Sequence, residues 1–266
     1  MDALTSLDKA IDVLEHLHDA GASRGITEIA TALGVPKSSA HRLLKTLVRR
    51  GFAEQDAAGR YHSGPALIAL GLGALDRQPI VALARPVLES EAASLGETVF
   101  LTAPRGRDIV VLDKAEGQGF LRAAPRVGQL VPVAATAVGR LAMAFAAEQF
   151  PLEANPPVAY TPATQLAQDA VRVAIARARR DGFAINHGEW IEGLSVVAAP
   201  IFGAGGPLVF AGAIAVAAPT ARLDALGPLA VAQRAAAAAH AISLRLAGRD
   251  PAWRRSASAV NGGAAS

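Results

Sequence analysis

Residues 34–51, GVPKSSAHRLLKTLVRRG, constrain the fold most strongly, because they combine a turn, a helix start and two opposed helix faces. Gly34 supplies the turn, and Pro36 suits the first turn of a helix, where the missing proline N–H costs nothing. One side of the predicted helix is apolar, with residues recurring every three or four positions: Ala40, Leu43, Leu44 and Leu47. The opposite side is polar and basic: Ser38, His41, Lys45 and Arg49. The spacing predicts an amphipathic helix with a basic outer face.

The segments on either side of this helix predict a winged helix-turn-helix over residues 1–64. A first helix is expected from Ser6, as its N-cap, to Gly21, and a second over residues 27–33 with Thr27 as its N-cap. After the third helix, two short extended segments flank residues 56–59, which end in glycine, and they predict a β-hairpin. Helix, helix, turn, helix and hairpin follow in the order of a winged helix-turn-helix.

Charge is unevenly distributed in this module, although the whole chain carries only +3. Residues 1–28 hold six acidic side chains against one lysine and one arginine, whereas residues 37–60 hold six basic side chains against two acidic ones. A local basic patch favours a polyanion as the partner. The alternative is that the polar face is simply the solvated side of a surface helix.

The N-terminal end of the third helix is the expected DNA-reading element. In helix-turn-helix proteins this end enters the major groove, and first-turn N–H groups bind phosphate oxygens. Arg42 and Lys45 are long enough to reach guanine or a phosphate, and Arg60 lies beside the hairpin turn, near the minor groove or the flanking backbone. The candidate DNA-binding residues are Thr27, Lys37, Ser38, Ser39, His41, Arg42, Lys45 and Arg60.

The rest of the chain predicts a linker helix and a second domain. Residues 65–78 contain the linker helix, residues 79–248 form the second domain, and residues 249–266 are expected to be disordered. Apolar strand patterns occur in two consecutive pairs, at 98–102 with 109–113 and at 195–202 with 208–217, and helix patterns flank the pairs at 79–96, 136–149, 164–181 and 224–247. The second domain is therefore expected to be an antiparallel sheet with packed helices, and the fold class of the chain is α+β.

Composition restricts the cellular compartment and the kinds of chemical site that are expected for this chain. The chain has no cysteine, which excludes disulfides, thiol nucleophiles and thiolate metal sites. Its N-terminus carries acids where a signal peptide is basic, and the apolar run at 193–218 is broken by proline and glycine. A cytoplasmic protein that does not interact with membranes is the expectation.

Seven stretches of the chain match sequence motifs of one protein family, in the order in which that family has them. They are SLDKAIDVLEHL, ITEIATALGVPKSSAHRLLKTLVRRGFAE and GRYHSG, then RPVLESEAASLGETVFL, RVGQLVPVAATAVGRLAMAF, RRDGFAINHGEWIEGLSVVAAPIF and FAGAIAVAAP. Together, over about residues 5–248, they resemble the IclR family of bacterial transcriptional regulators. The resemblance implies a GAF-like effector-binding domain and homodimers, or dimers of dimers, on palindromic operators. The family usually has leucine where this chain has Ser63.

The resemblance also implies an effector site on the concave side of the sheet. Matching the motifs residue by residue brings these positions to the pocket: Ala134, Ala135, Thr136, Asn186, Pro200, Ala215 and Ala217. Relatives that bind small oxo-acids tend to carry an acid, a cysteine and serines near the last four positions, so the replacements here leave an apolar wall. An aromatic or weakly polar effector is expected, because a small oxo-acid would lack hydrogen-bond partners. Arg122 or Arg126 supplies a carboxylate clamp, or both lie on a solvated rim.

An enzyme is the competing interpretation, with the winged helix serving only for dimerisation. Ser195, His187 and Asp108 offer the residue types of a triad, but no Gly-x-Ser-x-Gly turn surrounds the serine. His187 with Glu189 offers metal or effector ligands, although a surface hairpin is the simpler interpretation. No catalytic residue, cofactor or metal is predicted. The function expected is that of a ligand-responsive transcriptional regulator, with a catabolic operon as its expected target.

Overall fold

The structure, a computed structural model, describes residues 5–75, 77–118, 125–203 and 209–249. The chain divides into two compact units, Met1–Gln78 and Pro79–Ser266. All but the first residue of the predicted tail at 249–266 lies outside the described residues.

Unit 1 has the element order of a winged helix-turn-helix. Its elements are α1 (Ser6–Ala20), α2 (Ile26–Ala32), α3 (Lys37–Arg49), β1 (Ala53–Gln55), β2 (Tyr61–Ser63) and α4 (Pro65–Leu75). β1 and β2 pair antiparallel, and Tyr61 also exchanges two backbone hydrogen bonds with Arg24, both 2.8 Å. The core is Val13 and Leu17 of α1, Ile29 of α2, Leu44 and Leu47 of α3, and Ala53 and Tyr61 of the hairpin. The predicted order of elements is confirmed.

The helix starts differ from the expectation by one or two residues. Thr5, not Ser6, is the N-cap of α1: its hydroxyl accepts from the Asp8 N–H at 3.2 Å, and the Asp8 carboxylate accepts from the Thr5 N–H at 2.7 Å. Thr27 does not cap α2, because the Glu28 carboxylate reaches back to the N–H of Gly25, which is the N-cap. In each helix, the N-cap is the residue whose backbone N–H is bound by the acidic side chain three positions later, Asp8 or Glu28.

Unit 2 is built on a six-stranded antiparallel sheet. Its elements are α5 (Pro79–Leu95), β3 (Thr98–Arg105), β4 (Asp108–Ala115), β5 (Leu130–Val131), α6 (Ala137–Phe145), a 3-10 turn (Leu152–Ala154), α7 (Gln168–Asp181), β6 (Ala184–His187), β7 (Leu194–Gly203), β8 (Val209–Pro219), α8 (Thr220–Leu226) and α9 (Pro228–Arg249). The strand order is β5-β4-β3-β8-β7-β6. The expected antiparallel sheet is confirmed, and the fold is α+β.

Helices cover both faces of this sheet. One face packs against α6 and α7 through residues that include Phe100, Ala198 and Ala215. The other packs against α5, α8 and α9 through their neighbours along the same strands, such as Leu101, Val197 and Ile214. The two-residue period of a strand explains why adjacent residues belong to different cores. Strands buried on both faces also explain the nearly continuous apolar runs of β7 and β8.

Some helices of unit 2 begin or end at other residues than predicted. Helix α7 begins at Gln168 rather than at 164, because the Thr164 hydroxyl accepts from the Tyr160 and Thr161 N–H groups and holds the chain in a turn. Gly227, with φ of 80°, separates α8 from α9 where one helix was expected. Pro86 lies inside α5 without breaking it.

Two findings concern membranes and metals. No single helix within the described ranges is long and apolar enough to cross a membrane; α4 and α5 reach that length and composition only when counted together as a bent pair. Of these two, α5 buries Ile80, Ala84 and Leu88 in the core of unit 2. In the same ranges, no three His, Asp or Glu side chains lie together as metal ligands.

Candidate functional site

The outer face of α3 carries the predicted DNA-binding side chains. Lys37, Ser38, His41, Arg42 and Lys45 are all exposed, and Ser39 is half-buried. Ala40, Leu44 and Leu47 on the opposite face are buried, while Leu43 is only partly buried. His41 and Arg42 each lie three or four positions from both Ser38 and Lys45, so these four residues form one stripe along the helix. Thr27 on α2 is also exposed.

The N-terminus of α3 differs from those of α1 and α6. Thr5 and Thr136 cap α1 and α6 through their side chains, whereas the N-cap of α3 is Pro36, which supplies no side-chain hydrogen bond. The first N–H groups of a helix have no partner within the helix, and the helix dipole makes this end attractive to anions. The exposed start of α3 therefore offers backbone N–H groups, two hydroxyls and Lys37 to a phosphate.

Arg60 is engaged within unit 1. Its Nε and Nη2 atoms donate to the Ser23 carbonyl at 3.1 and 2.8 Å, and Nη2 lies 3.4 Å from the Glu28 carboxylate. The guanidinium thus joins the wing to the segment that leads into α2. The predicted contact of Arg60 with DNA stays a prediction, and its visible role is to brace the wing.

The tip of the wing carries an acid instead of a base. The Asp56 carboxylate accepts from the Arg60 and Ala58 N–H groups at 2.9 and 3.0 Å. The hydrogen bond from the Arg60 N–H is the main reason that the pKa of Asp56 lies below its ordinary value. Because this turn also contains two alanines and a glycine, the tip itself presents no cation to a minor groove.

A mostly apolar cavity in unit 2 lies between the sheet, the start of α6 and the loop that joins β6 to β7. Its free volume is about 20 Å³. Its walls are formed by Phe100, Pro125, Val131, Thr136, Ala137, Val138, Asn186, Trp190, Ile191, Leu194 and Val196. Most of these side chains are hydrocarbon, and the polar groups are the Thr136 hydroxyl, the Asn186 amide and the indole N–H of Trp190.

Two of the seven predicted effector-binding residues, Thr136 and Asn186, line this cavity. Ala134 and Ala135 line a separate surface cleft beneath residues 155–160. Ala215 and Ala217 are buried on the same face of the sheet, and Pro200 is buried in β7, but none of the three lines the cavity. Arg126 is exposed and outside the cavity wall, and Arg122 lies outside the described residues. The sequence argument missed the apolar walls, notably Phe100 and Trp190.

The hydroxyl of Thr136 and the amide of Asn186 already have partners within the chain. The Thr136 hydroxyl donates to the Pro132 carbonyl at 2.6 Å and accepts from the Gly139 N–H. The Asn186 side chain donates to the Ala135 carbonyl at 2.6 Å and accepts from the Glu189 N–H at 3.2 Å. A ligand at this site therefore meets few free hydrogen-bonding groups.

A buried ion pair between α6 and the loop that joins β6 to β7 was not predicted. Both Nη atoms of Arg140 on α6 donate to the Glu189 carboxylate in a bidentate arrangement, and the two side chains are only 5% and 9% exposed. The expectation that His187 and Glu189 form a surface hairpin is wrong for Glu189, which the Arg140 guanidinium draws into the interior. His187 is exposed, as expected.

Comparison with known proteins identifies the chain. Residues 6–57 match the IclR helix-turn-helix domain, and residues 72–244 match the family described as bacterial transcriptional regulator IclR C-terminal. The chain belongs to the IclR family of bacterial transcriptional regulators. It is 31% identical over 261 residues to the HTH-type transcriptional regulator BhcR of Paracoccus denitrificans, covering 95% of this chain and 91% of that protein. It is also 31% identical to the regulator XynR of Escherichia coli over 206 residues, 76% of this chain and 82% of XynR.

A solved structure shares the whole architecture. The IclR transcriptional regulator from Alicyclobacillus acidocaldarius is 28% identical, with a TM-score of 0.79, over 95% of this chain and 99% of that one. This IclR-family protein is therefore a DNA-binding transcriptional regulator, and its named relatives are regulators rather than enzymes.

The geometry of the IclR-family protein also disfavours the triad considered above. Ser195 is fully buried, and its hydroxyl lies 2.8 Å from that of Thr220. His187 is its register partner on β6, but Asp108 is on β4, near the other edge of the sheet. A serine without solvent access has no path to a substrate carbonyl.

Proposed function

We propose that this IclR-family protein binds a palindromic operator as a homodimer, or as a dimer of dimers, and reads each half-site with α3. The exposed basic stripe of α3, together with an N-terminus that no side chain caps, is the observation that carries the proposal. Arg42 and Lys45 contact base edges or phosphates, while Lys37, Ser38, Ser39, His41 and Thr27 bind the backbone or nearby bases. The relevant compartment is the cytoplasm, and the expected target is a catabolic operon.

Helix α4 supports dimerisation. It contains no charged residue and no buried residue, and Ile68, Leu70 and Leu72 are 65%, 60% and 59% exposed. A helix with apolar residues all around its circumference requires a covering surface. A second copy of α4 supplies a surface of the same character, as a two-fold symmetric interface requires.

The test of DNA reading uses two variants and a matched control. Arg42→Ala and Lys45→Ala remove one cation each from the stripe, whereas Arg107→Ala removes an equivalent exposed cation from the β3–β4 turn of unit 2. Fluorescence anisotropy with a labelled operator should show a loss of at least tenfold for the α3 variants and little change for Arg107→Ala. Equal operator affinities for all three variants would show that α3 does not contact the DNA.

The cavity of unit 2 is the proposed effector site, and its chemistry favours an aromatic or weakly polar molecule. The hydroxyl and amide groups of its walls are already hydrogen-bonded within the chain, and the Trp190 indole supplies one further donor, so a small oxo-acid would lose the hydration of several oxygens and gain too few partners. Isothermal titration calorimetry with aromatic acids, hydrophobic esters and small oxo-acids tests this class. Binding of the small oxo-acids alone would refute it.

Effector binding is proposed to alter operator affinity through α4. Coupling of this kind is typically worth about 1–3 kcal/mol, or 5–150-fold in affinity, and it is reciprocal between the two ligands. Insertion of two glycines at Gly71 should uncouple the sites while each still binds its ligand. Unchanged effector-dependent release of DNA from the insertion variant would exclude α4 as the coupling element.

A further inference from the structure

The effector cavity is too small to admit an effector as it stands. Its free volume of about 20 Å³ is enough for about one water molecule. A cavity that binds benzene measures about 150 Å³. If the cavity is the effector site, as proposed above, one of its walls has to move before any aromatic molecule enters.

The wall best suited to move is the loop of residues 188–193, GEWIEG. Trp190 and Ile191 from this loop line the cavity, yet Trp190 is only half-buried and Ile191 is 38% exposed, so the outer side of the loop faces solvent. The loop begins at Gly188 and ends at Gly193, with φ of 66° and 75°. Glycine changes φ and ψ with little steric cost, so both ends are suited to act as hinges.

The ends of the loop are held to the body of unit 2. The Thr161 hydroxyl donates to the Gly188 carbonyl at 2.7 Å, and the Thr220 N–H donates to the Gly193 carbonyl at 2.8 Å. A movement is thereby restricted to the four residues between the two glycines, which include both residues that line the cavity.

The polar contacts of these four residues with the rest of the described part of unit 2 are made by Glu189, apart from one bond at the end of the loop, in which the Leu194 N–H donates to the Ile191 carbonyl at 3.1 Å. Its carboxylate accepts from Arg140 and, at 3.4 Å, from the Gln165 N–H. Its carbonyl accepts from the Thr164 hydroxyl at 2.6 Å, and its N–H donates to Asn186 at 3.2 Å. The side chains of Trp190 and Ile191 make no hydrogen bond with any residue that the structure describes, so Glu189 is the main attachment of the loop to the body of unit 2.

We propose that the 188–193 loop is the door of the effector cavity and that the Arg140–Glu189 ion pair is the latch that keeps it closed. Arg140 and Glu189 are positioning residues, because they act on the effector through the placement of Trp190 and Ile191. A buried ion pair suits a reversible latch, since both charges regain hydration when the door opens and this offsets part of the lost attraction. Arg140 lies one turn after Thr136, so the latch joins the door to the helix that begins at the cavity.

Hydrogen exchange tests the door without any ligand. Glu189→Gln keeps the shape of the side chain and removes its charge, and Glu192→Gln is the matched control, because Glu192 is an exposed acid of the same loop. Loss of charge-assisted hydrogen bonds should raise the open population about tenfold or more. Exchange at the backbone N–H groups of residue 189 and Leu194 should therefore accelerate tenfold in Glu189→Gln and remain as in the wild type in Glu192→Gln.

A second variant protects the test against a folding defect. Thr164→Val removes the hydroxyl that donates to the Glu189 carbonyl and leaves the ion pair in place, and it should accelerate the same two N–H groups. Because this hydroxyl also accepts from the Tyr160 and Thr161 N–H groups, exchange at those two positions is followed separately. Exchange in the centres of β7 and β8 serves as the internal control and should not change. Wild-type exchange at both N–H groups in both variants, or equal acceleration in β7 and β8 in both, would overturn the proposal.

The kinetics of ligand entry give an independent result. With Trp253→Phe as background, Trp190 is the only tryptophan, and stopped-flow fluorescence with benzoate and 4-hydroxybenzoate reports entry. If the door limits entry, the observed rate should reach a plateau with acid concentration, and Glu189→Gln should raise that plateau about tenfold. A rate that rises linearly in the wild type, with no effect of Glu189→Gln, would contradict the door. Failure of both acids to bind any variant would count against the effector class, while hydrogen exchange would still decide the door.

Discussion

Replacing Gly139 by alanine should destabilise unit 2 far more than a single methyl group ordinarily does. Gly139 lies in α6, all of whose residues from Ala137 to Ala144 are buried. A Cβ at this position would lie 1.8 Å from the Val133 carbonyl oxygen and 2.5 Å from its carbon, and both are backbone atoms. Because real Cβ contacts are almost never shorter than 3.0 Å, the helix and the Val133 segment would have to separate by at least 1.2 Å. Overpacking against side chains costs about 1–3 kcal/mol, and a backbone clash of this size should cost at least the upper value.

Urea unfolding followed by Trp190 fluorescence, in a Trp253→Phe background, measures the change in unit 2. Gly248→Ala in α9 is the matched control, since no atom of the described residues lies within 4 Å of its added Cβ, and it should change the free energy of unfolding by no more than about 0.5 kcal/mol. A loss below 1 kcal/mol for Gly139→Ala would mean that α6 does not approach Val133 as closely as described, and the account of the cavity wall would fail with it.

Two further predictions concern pH and the wing. Burial raises the pKa of Asp113 despite the Arg85 guanidinium 3.1 Å away, so the folded state holds this proton more tightly and the wild type loses stability as pH rises through that pKa. In urea unfolding, Asp113→Asn should therefore become more stable relative to the wild type as the pH rises from 3 to 7. A loss of relative stability over this range would show that the pKa of Asp113 is lowered instead. Arg60→Gln should lower the free energy of unfolding of unit 1 by about 1 kcal/mol through loss of the bond to Ser23. If Arg60 also contacts a phosphate, as the sequence predicts, the salt-dependence slope of operator binding should fall by about 1.8 for a dimer, whereas an unchanged slope would show that Arg60 only braces the wing.

The parts of the fold that could be predicted from the sequence are those specified by local patterns. The stripe of α3, the turn at Gly34 and the hairpin around residues 56–59 are each encoded within a few neighbouring residues, so spacing alone was sufficient. Helix starts were displaced by a residue or two because adjacent residues compete for the cap, and the winner depends on a partner such as Asp8 or Glu28.

The effector site depended on contacts that no local pattern contains. Arg140 and Glu189 are 49 positions apart, and only the sheet that brings α6 beside the β6–β7 loop makes them a pair. Trp190 and Ile191 together stand between Glu189 and Glu192, and so short an apolar segment gives no periodic signal of burial. Thr136 and Asn186 were found through the family resemblance, which carries three-dimensional information that spacing lacks.

The central claim is that the polar stripe of α3 enters duplex DNA, and its most direct measurement is footprinting of the full chain on DNA from its own upstream region across a salt series. The account predicts two protected major-groove patches separated by one or more helical turns, each turn about 34 Å. If a dimer contacts six to ten phosphates, affinity should fall about 10³–10⁵-fold between 50 and 200 mM salt. Protection that does not respond to salt, or no retention of any DNA at low salt, would contradict the account.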